Sequence, residues 1–367
     1  MRWLFVGLIV VHGLIHVMGF AKAFGFAELP QLTQPISRSM GVLWLFSAIG
    51  LLATAVLFVK APRVWWAVGF VAVVASQIVI ASAWGDAKLG TIGNVLVLVG
   101  VVYGFASQGP LSLRAEYRRE VRDRLAQLGS LPLVTEEDLA PLPEAVQRYV
   151  RLSGAVGRPK AHHVMAVWRG RIRAGPGDPW MSFTAEQVNF LDQPARFFLM
   201  DARKGALPVD VLHVFADHDA TMRVRLLSVV PLVTAAGPEL RRAETVTVFN
   251  DLCILAPGAL VDPAIRWEPL EAHTARGYYT VGSNTISAVL SFNEAGELVD
   301  FVSDDRLAAS PDGKQFALQR WSTPLSAYRR FEDRRVATRG EGRWHPSEGE
   351  FVYLELELLD FEVNGRR

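Results

Sequence analysis

Four apolar runs near the N-terminus constrain the fold of this 367-residue chain more than any other feature. The runs occupy residues 4–20, 41–59, 65–83 and 90–107. Each run approaches the length of about 20 residues that a helix needs to cross the hydrocarbon core of a bilayer. We therefore predict four transmembrane helices. The first run also resembles a cleavable secretory signal, but His12 and His16 interrupt it and argue against that interpretation.

Charged residues divide the chain into three parts. Residues 1–107 carry six basic and two acidic side chains, residues 108–130 carry five and three, and residues 131–367 carry 27 and 32. The acidic balance of the last part argues against nucleic-acid binding. We predict a four-helix transmembrane domain over 1–107, a basic juxtamembrane helix and linker over 108–141, and a soluble β-rich domain over 142–367.

The lysines and arginines near the ends of the apolar runs predict the orientation in the membrane. Loops that face the cytoplasm carry the excess of basic residues. Eight basic residues fall on the side of both termini and three on the other side. We therefore expect a multi-pass protein of the bacterial cytoplasmic (inner) membrane, with both termini and the soluble domain in the cytoplasm. The eight are Arg2, Lys60, Arg63, Arg114, Arg118, Arg119, Arg122 and Arg124, and the three are Lys22, Arg38 and Lys88.

A basic amphipathic segment follows the fourth apolar run. Over residues 114–128, apolar side chains recur at three- and four-residue spacing opposite the arginines, which predicts a helix. Such a helix either lies on anionic lipid headgroups or extends the fourth span as a charged stalk. Residues 130–143 are rich in proline and acidic residues, as in a domain linker.

Beyond residue 160 the sequence changes from helical spacing to the alternation of β-strands. We predict a mainly antiparallel sheet with clear hairpin turns at residues 214–222 and 291–299. The predicted strands lie at residues 163–173, 181–191, 195–203, 209–217, 220–229, 265–271, 275–281, 285–292, 298–307, 315–321 and 351–363. One helical segment, residues 239–252, interrupts the strands, and residues 256–260 add a turn. A sheet of about ten strands tends to curl. The predicted fold is therefore α+β, a four-helix transmembrane bundle followed by a strongly curved, half-barrel-like sheet that encloses an apolar concavity.

Familiar catalytic and cofactor motifs are missing from the sequence. The patterns G-x-x-x-x-G-K-[ST], G-x-G-x-x-G, G-x-S-x-G and H-E-x-x-H do not occur. Cys253 is the single cysteine, which excludes an intramolecular disulfide and a cysteine-based zinc site. We therefore assign no catalytic residue, metal ligand or cofactor, and leave open whether the protein is an enzyme.

The most informative polar residues lie inside the apolar runs. His12 and His16 are four residues apart and share one face of the first helix. A polar or ionisable group in hydrocarbon is costly enough to indicate a function. At a rise of about 1.5 Å per residue, His16, Gln77 and Asn94 fall in one layer on the side away from the soluble domain, and Asp86 lies in the connection beside it. We name these five residues as candidate ligand-binding residues.

This layer admits several roles. The two imidazoles could bind a metal or haem iron, relay a proton, or hydrogen-bond a quinone or a lipid headgroup. The competing interpretation is that the polar side chains only hydrogen-bond one another and hold the bundle together.

Aromatic residues are the main candidates in the soluble part. Trp168, Trp180 and Trp267 lie in or beside predicted strands. A bent sheet lined with aromatic side chains can bind an acyl chain or another apolar ligand, although most aromatic residues of a soluble domain belong to its core. We name these three tryptophans as further candidate ligand-binding residues.

Nine short sequence segments, which we call phrases, resemble segments of known proteins. The phrases are LPEAVQRY at 142–149, WMSFTAEQ at 180–187, AGPE at 236–239, IRWE at 265–268, GRWH at 342–345, FVY at 351–353, GFAKAFG at 19–25, SQ at 76–77 and WGDAKLGT at 84–91. In these phrases the chain resembles a bacterial membrane-anchored family known only as a domain of unknown function. The resemblance covers about residues 140–364 and the four-span segment, and it implies no activity.

At the level of the fold, the curved sheet is weakly similar to half-barrel lipoprotein carriers, which hold acyl chains. Fold similarity does not establish function. Those carriers work outside the cytoplasm, whereas the basic residues of this chain place its sheet inside, and we give the basic residues more weight.

Together these features predict a membrane-anchored protein whose curved β domain binds a lipid or another apolar ligand at the membrane surface. Membrane lipids are then its partners, with an apolar small molecule as ligand. The alternative is a redox- or proton-coupled membrane enzyme or sensor that uses the histidine-containing polar layer. A third possibility is an interaction scaffold without a small ligand. The cofactor and the oligomeric state are left open.

Overall fold

The structure is a computed structural model that describes residues 2–126, 129 and 131–365. The chain divides into two units, Met1–Glu116 and Tyr117–Arg367. Leu128, at the end of the predicted basic helix, and Ser130, at the start of the predicted linker, lie outside the described residues. The predicted division into membrane domain, juxtamembrane segment and soluble domain stays a prediction.

Four long apolar helices form most of the first unit, as the apolar runs predicted. Each is long and apolar enough to cross a membrane. Large apolar side chains such as Val11, Phe46 and Ile78 are exposed on their outer faces, which is unfavourable in water and suits hydrocarbon. The helices are α1 (Arg2–Ala23), α2 (Arg38–Lys60), α3 (Trp65–Ser82) and α5 (Gly90–Gln108), with the short α4 (Trp84–Ala87) between α3 and α5.

Close packing of these helices depends on glycine. A Cβ atom on Gly19 would lie 2.1 Å from the Trp44 ring, and one on Gly100 would lie 2.2 Å from the Phe5 ring. A larger side chain at either position would therefore push the helices apart. Part of the interior between them is apolar, with Ile9 and Leu51 fully buried.

Three shorter helices follow, α6 (Leu113–Leu125), α7 (Glu136–Leu139) and α8 (Glu144–Leu152). α6 contains the described part of the predicted basic helix. Tyr117 and Val121 on its apolar face are buried. Arg124 on α6 donates to both carboxylate oxygens of Asp217, at 3.0 and 2.9 Å. At these positions protein, and not lipid, covers the apolar face.

β-strands form most of the second unit. The strands are β1 (His163–Ile172), β2 (Met181–Phe190), β3 (Ala195–Lys204), β4 (Leu207–Ala216), β5 (Asp219–Leu226), β6 (Val230–Ala236), β7 (Ile265–Pro269), β8 (Thr274–Val281), β9 (Asn284–Phe292), β10 (Leu298–Ser303), β11 (Leu307–Ala309), β12 (Phe316–Leu318), β13 (Trp321–Ser322), β14 (Leu325–Phe331), β15 (Arg334–Trp344) and β16 (Phe351–Val363). β11 and β12 form a separate hairpin.

The remaining strands form one curled antiparallel sheet. Their order is β6-β5-β4-β3-β2-β1-β16-β15-β13-β10-β9-β8-β7, and β14 pairs with β15 beside this path. Because β1 pairs with β16, the first and last strands of the unit meet in the middle. The earlier and later hairpins then extend the sheet in opposite directions. The predicted fold class, α+β with four apolar helices and a half-barrel-like sheet, is confirmed.

Both predicted hairpins are confirmed, and three strands were not predicted. The β4–β5 turn places Asp217 and His218 at φ angles of 53° and 62°, as a two-residue hairpin turn requires. β6, β14 and β15 were missed. β14 and β15 carry arginines, and exposed ones such as Arg329 and Arg339 weaken the apolar alternation that predicts a strand. β6 contains Pro231, and proline is tolerated there because β6 is an edge strand.

One helix, α9 (Pro238–Leu255), packs against the sheet. It begins with Pro238, in the first turn where the missing N–H of proline costs nothing. α9 contacts strands from both halves of the sheet, including β4, β5, β9, β10 and β15. Residues along most of its length are buried, so the core of the domain lies between α9 and the sheet. A short 3₁₀ helix, Pro257–Val261, follows at the predicted turn.

Candidate functional site

A cavity lies between α9 and the sheet. Its volume is about 370 Å³, within the range of roughly 300–1,000 Å³ that is usual for small-molecule sites. The β11–β12 hairpin contributes Leu307 and Phe316 to its wall. Most of the other lining is apolar or aromatic, and its larger members are Trp168, Phe198, Met200, Leu240, Ile254, Trp321, Trp344 and Leu356.

A buried set of charged and amide side chains, which we call the polar cluster, borders this cavity. Arg196 on β3 donates from Nε to Asp251 Oδ2 at 2.7 Å and from Nη1 to Glu244 Oε2 at 3.3 Å. Gln187 and Asn189 on β2 donate to the same oxygen of Asp251, at 2.7 and 3.0 Å. Since Glu244 and Asp251 both lie on α9, the cluster joins the helix to the sheet.

Electrostatics keep the polar cluster ionised. Burial alone would raise the pKa of the Glu244 carboxyl, but His213 and Arg196 more than offset burial and lower that pKa to about 2. The Nδ1 atom of His213 is 3.6 Å from Glu244 Oε1. Burial also opposes the charge of Arg196, yet Asp251 and Glu244 raise the pKa of its guanidinium. Glu244 and Arg196 are therefore an internal ion pair at neutral pH, and Glu244 is not a proton donor.

Arg306 lies at the cavity between β10 and β11. Its guanidinium carbon is 4.1 Å from the centre of the Trp321 ring and 5.4 Å from that of the Trp344 ring. The Nε and Nη1 atoms are buried and have no hydrogen-bond partner among the described residues. Two aromatic faces therefore hold the Arg306 guanidinium, while its Nε and Nη1 donors have no hydrogen-bond acceptor among the described residues.

The structure brings one of the three predicted tryptophans to the cavity. Trp168 lines it and donates from Nε1 to Gln187 Oε1 at 2.8 Å. Trp180 stacks against two guanidinium groups whose centres lie 4.5 Å from its ring. Trp267 packs in the core and donates to the carbonyl of Leu260 at 3.1 Å. Neither of these two is among the described residues that line the cavity.

The helical unit contains a second set of buried polar side chains, which we call the histidine layer. His12 Nε2 lies 2.8 Å from Asn94 Oδ1, and Asn94 Nδ2 donates to Gln77 Oε1 at 2.9 Å. Ser76 Oγ lies 2.8 Å from both Asn94 Oδ1 and His16 Nε2. Four of the five predicted residues of the apolar region therefore meet, and Ser76 joins them.

Hydrogen-bond chemistry limits the states of this layer. His16 Nδ1 lies 2.8 Å from the backbone carbonyl of His12. Because a carbonyl only accepts, Nδ1 carries the hydrogen, and Nε2 of the neutral ring is an acceptor. The Ser76 hydroxyl then donates its single hydrogen either to His16 Nε2 or to Asn94 Oδ1. The layer thus has two hydrogen-bond arrangements that differ in the direction of one hydroxyl.

Asp86, the fifth predicted residue, has other partners. Its carboxylate accepts hydrogen bonds from Thr33 Oγ1 and from the backbone N–H of Gln34, both at 2.8 Å. These contacts tie the connection between α1 and α2 to α4.

Sequence reasoning missed the polar cluster and Arg306. Arg196 is 48 residues from Glu244 and 55 from Asp251 along the chain, so no local motif joins them. One signal could have found part of the cluster. Glu244 and Asp251 are two helical turns apart in a segment that is otherwise mostly apolar, which places both carboxylates on one helix face.

Comparisons with known proteins identify the sequence pattern without an activity. A profile described as "Family of unknown function (DUF6544)" matches residues 132–356, and no curated protein matches the chain. Among solved structures, a DUF1329 family protein from Desulfovibrio piger is similar with a TM-score of 0.38, at 13% identity over 61% of this chain and 93% of that chain. A LolA superfamily protein from Nitrosomonas europaea is similar with a TM-score of 0.32, at 12% identity over the same shares. The predicted weak similarity to half-barrel carriers is confirmed, and at these TM-scores it carries no argument about function.

Proposed function

We propose that this chain, which belongs to the family of unknown function DUF6544, is a membrane-anchored protein whose β domain binds a lipid or another apolar ligand under α9. The observation that carries the proposal is the cavity of about 370 Å³ with its mainly apolar and aromatic lining. Protein interiors are close-packed, and voids larger than a water molecule are few. A partly open, mainly apolar cavity of this size therefore favours a bound molecule.

The polar cluster supports this proposal, because its charges are compensated within the protein. Arg196 bonds to two carboxylates, and the two amides of β2 bond to one of them. An apolar ligand can therefore occupy the cavity without leaving the charges of the polar cluster unpaired.

A cavity-filling substitution tests the proposal. Thr247 on α9 lines the cavity, and a phenylalanine there would occupy space that a ligand needs. We expect Thr247→Phe to weaken binding of a fluorescent fatty-acid probe to the delipidated full chain by roughly tenfold or more. The control is Thr184→Phe, the same change at an exposed position of β2. Equal probe affinity of the two variants, or no probe binding by the wild type, would contradict the proposal.

The four apolar helices are the membrane anchor in this proposal. Their exposed apolar side chains suit hydrocarbon, and the excess of basic residues on one side favours an orientation with both termini and the β domain in the cytoplasm, at a bacterial inner membrane. Two reporters fused to the C-terminus test the orientation, one that fluoresces only in the cytoplasm and one that is active only after export. Activity of the exported reporter would contradict it.

A second candidate function rests on the histidine layer. Its two arrangements of the Ser76 hydroxyl suit a proton relay or the binding of a polar group such as a quinone carbonyl. The purified full chain is examined for a visible absorbance band and for bound metal. A chromophore or metal present in the wild type and lost in His16→Ala supports a redox function. If the wild-type protein contains neither a chromophore nor a metal, the result argues against a redox function of the histidine layer.

A further inference from the structure

We propose that Arg306 binds the anionic oxygen head group of a single-chain amphiphile whose tail fills the cavity. This inference rests on the proposed function and specifies its ligand class. The head group is a carboxylate, as in a long-chain fatty acid, or a phosphate, as in a monoacyl phosphate.

The first argument is the state of the Arg306 donors. Nε and Nη1 are buried without a hydrogen-bond partner among the described residues. A buried donor without an acceptor is costly, and native proteins contain few of them. The faces of Trp321 and Trp344 attract the cation and orient its plane, but an aromatic face at these distances does not replace an oxygen acceptor. An oxygen anion bound at Nε and Nη1 would supply this acceptor.

The second argument is the balance of charge around the cavity. The polar cluster compensates its own charges, and Glu341 pairs with Arg343 at 2.7 Å. Arg173 donates to two backbone carbonyls. Glu244 feels the charge of Arg306, but its oxygens contact Arg196 and His213. Arg339 also lines the cavity, but it is exposed to solvent. Among the described cavity cations, Arg306 is therefore the one whose buried donors have no oxygen acceptor.

The third argument concerns the size and chemistry of the ligand. The cavity volume is near the lower end of the usual range for ligand sites, which favours one acyl chain over two. Arginine is the preferred side chain for carboxylate and phosphate, because its planar guanidinium presents several fixed donors to their oxygens. A neutral alcohol of equal chain length offers one weak acceptor and no charge.

The experiment compares ligands of equal tail and different head group. The full chain is delipidated and transferred to amphipol, so that no free detergent competes. Palmitate, hexadecanol and a monoacyl phosphate then displace a fluorescent fatty-acid probe from wild type, Arg306→Gln and Arg306→Lys. The control is Arg320→Gln, because Arg320 pairs with Asp304 and its side chain is 55% exposed.

We expect Arg306→Gln to weaken palmitate or monoacyl phosphate binding by roughly tenfold or more and to leave hexadecanol binding within about twofold of the wild type. Arg306→Lys keeps the charge and should lose less affinity for the two anions than Arg306→Gln. The anion with the larger loss identifies the head group. Arg320→Gln should change none of the three affinities.

Two results would overturn the inference in different ways. If Arg306→Gln retains wild-type affinity for both anions, or loses affinity equally for all three ligands, Arg306 does not recognise the head group, and the proposed function stands. If wild-type protein binds none of the three ligands, the proposed function fails as well. A cooperative thermal melt of Arg306→Gln shows that the variant is folded, and Arg306→Lys provides the comparison if it is not.

Discussion

Replacement of Arg196 by methionine should destabilise the β domain strongly. The change leaves Glu244 and Asp251 as two buried carboxylates without the arginine that bridges them, and His213 remains near Glu244. Removing one partner of a buried ion pair costs about 3–5 kcal/mol in free energy of unfolding, mostly because a charge stays buried and unpaired. In a domain of this size, the melting temperature should fall by roughly 10 °C.

The assay is denaturant unfolding of the full chain, followed by tryptophan fluorescence. The control is Arg320→Met, the same change in the exposed pair with Asp304, and exposed pairs contribute about 0–1 kcal/mol. If Arg196→Met loses no more free energy of unfolding than Arg320→Met, the argument that the cluster is a buried, mutually compensated ion pair is refuted.

The pH dependence tests the same argument. In the wild type the pKa of Glu244 is lowered from 4.5 to about 2, so its contribution to stability is full above pH 4.5 and is lost as the pH falls toward 2. In Arg196→Met the Glu244 carboxyl loses one of the groups that lower its pKa, so it protonates more readily and its buried charge is removed. The difference in stability between wild type and Arg196→Met should therefore shrink below pH 5. A difference that is constant between pH 7.5 and pH 4 would show that lost packing, and not charge, causes it.

Three further predictions concern other parts of the chain. Gly19→Ala places a Cβ within 2.1 Å of the Trp44 ring and should destabilise the helical unit by about 1–3 kcal/mol, measured by thermal unfolding in detergent. Asn94→Leu removes the acceptor of His12 and Ser76 and should cost roughly 1–3 kcal/mol in the same assay; an unchanged midpoint would count against a stabilising role. Burial raises the pKa of the Cys253 thiol, so the native protein should resist iodoacetamide that modifies the denatured chain, and rapid modification of the native protein would contradict this.

Local patterns in the sequence predicted the elements of the fold well. The apolar runs predicted four helices, and α1, at Arg2–Ala23, is only slightly longer than the run at 4–20. The predicted helix at 239–252 became α9. These predictions succeed because the spacing of neighbouring side chains sets which face of a helix or strand is apolar. They fail for β14 and β15, where pairing with other strands, and not local alternation, makes the strand.

The histidine layer was predicted in part from the sequence. The depth of His16, Gln77 and Asn94 follows from the constant rise of a helix, so the sequence alone predicted that they share a layer. Ser76 was missed, because a serine in a helix commonly bonds its own backbone and its place in the layer depends on which way α3 is rotated.

Local patterns along the chain were enough to predict four apolar helices, a curved antiparallel sheet and many of the residues that share a face. Long-range packing created the cavity, the polar cluster and the two buried Arg306 donors that have no partner among the described residues. Gln187 and Asp251 are 64 residues apart and meet because α9 packs against the sheet, where the Asp251 carboxylate reaches side chains of β2 and β3. Periodicity tells which residues lie on one face, but long-range packing decides which element covers that face and which charges it buries together.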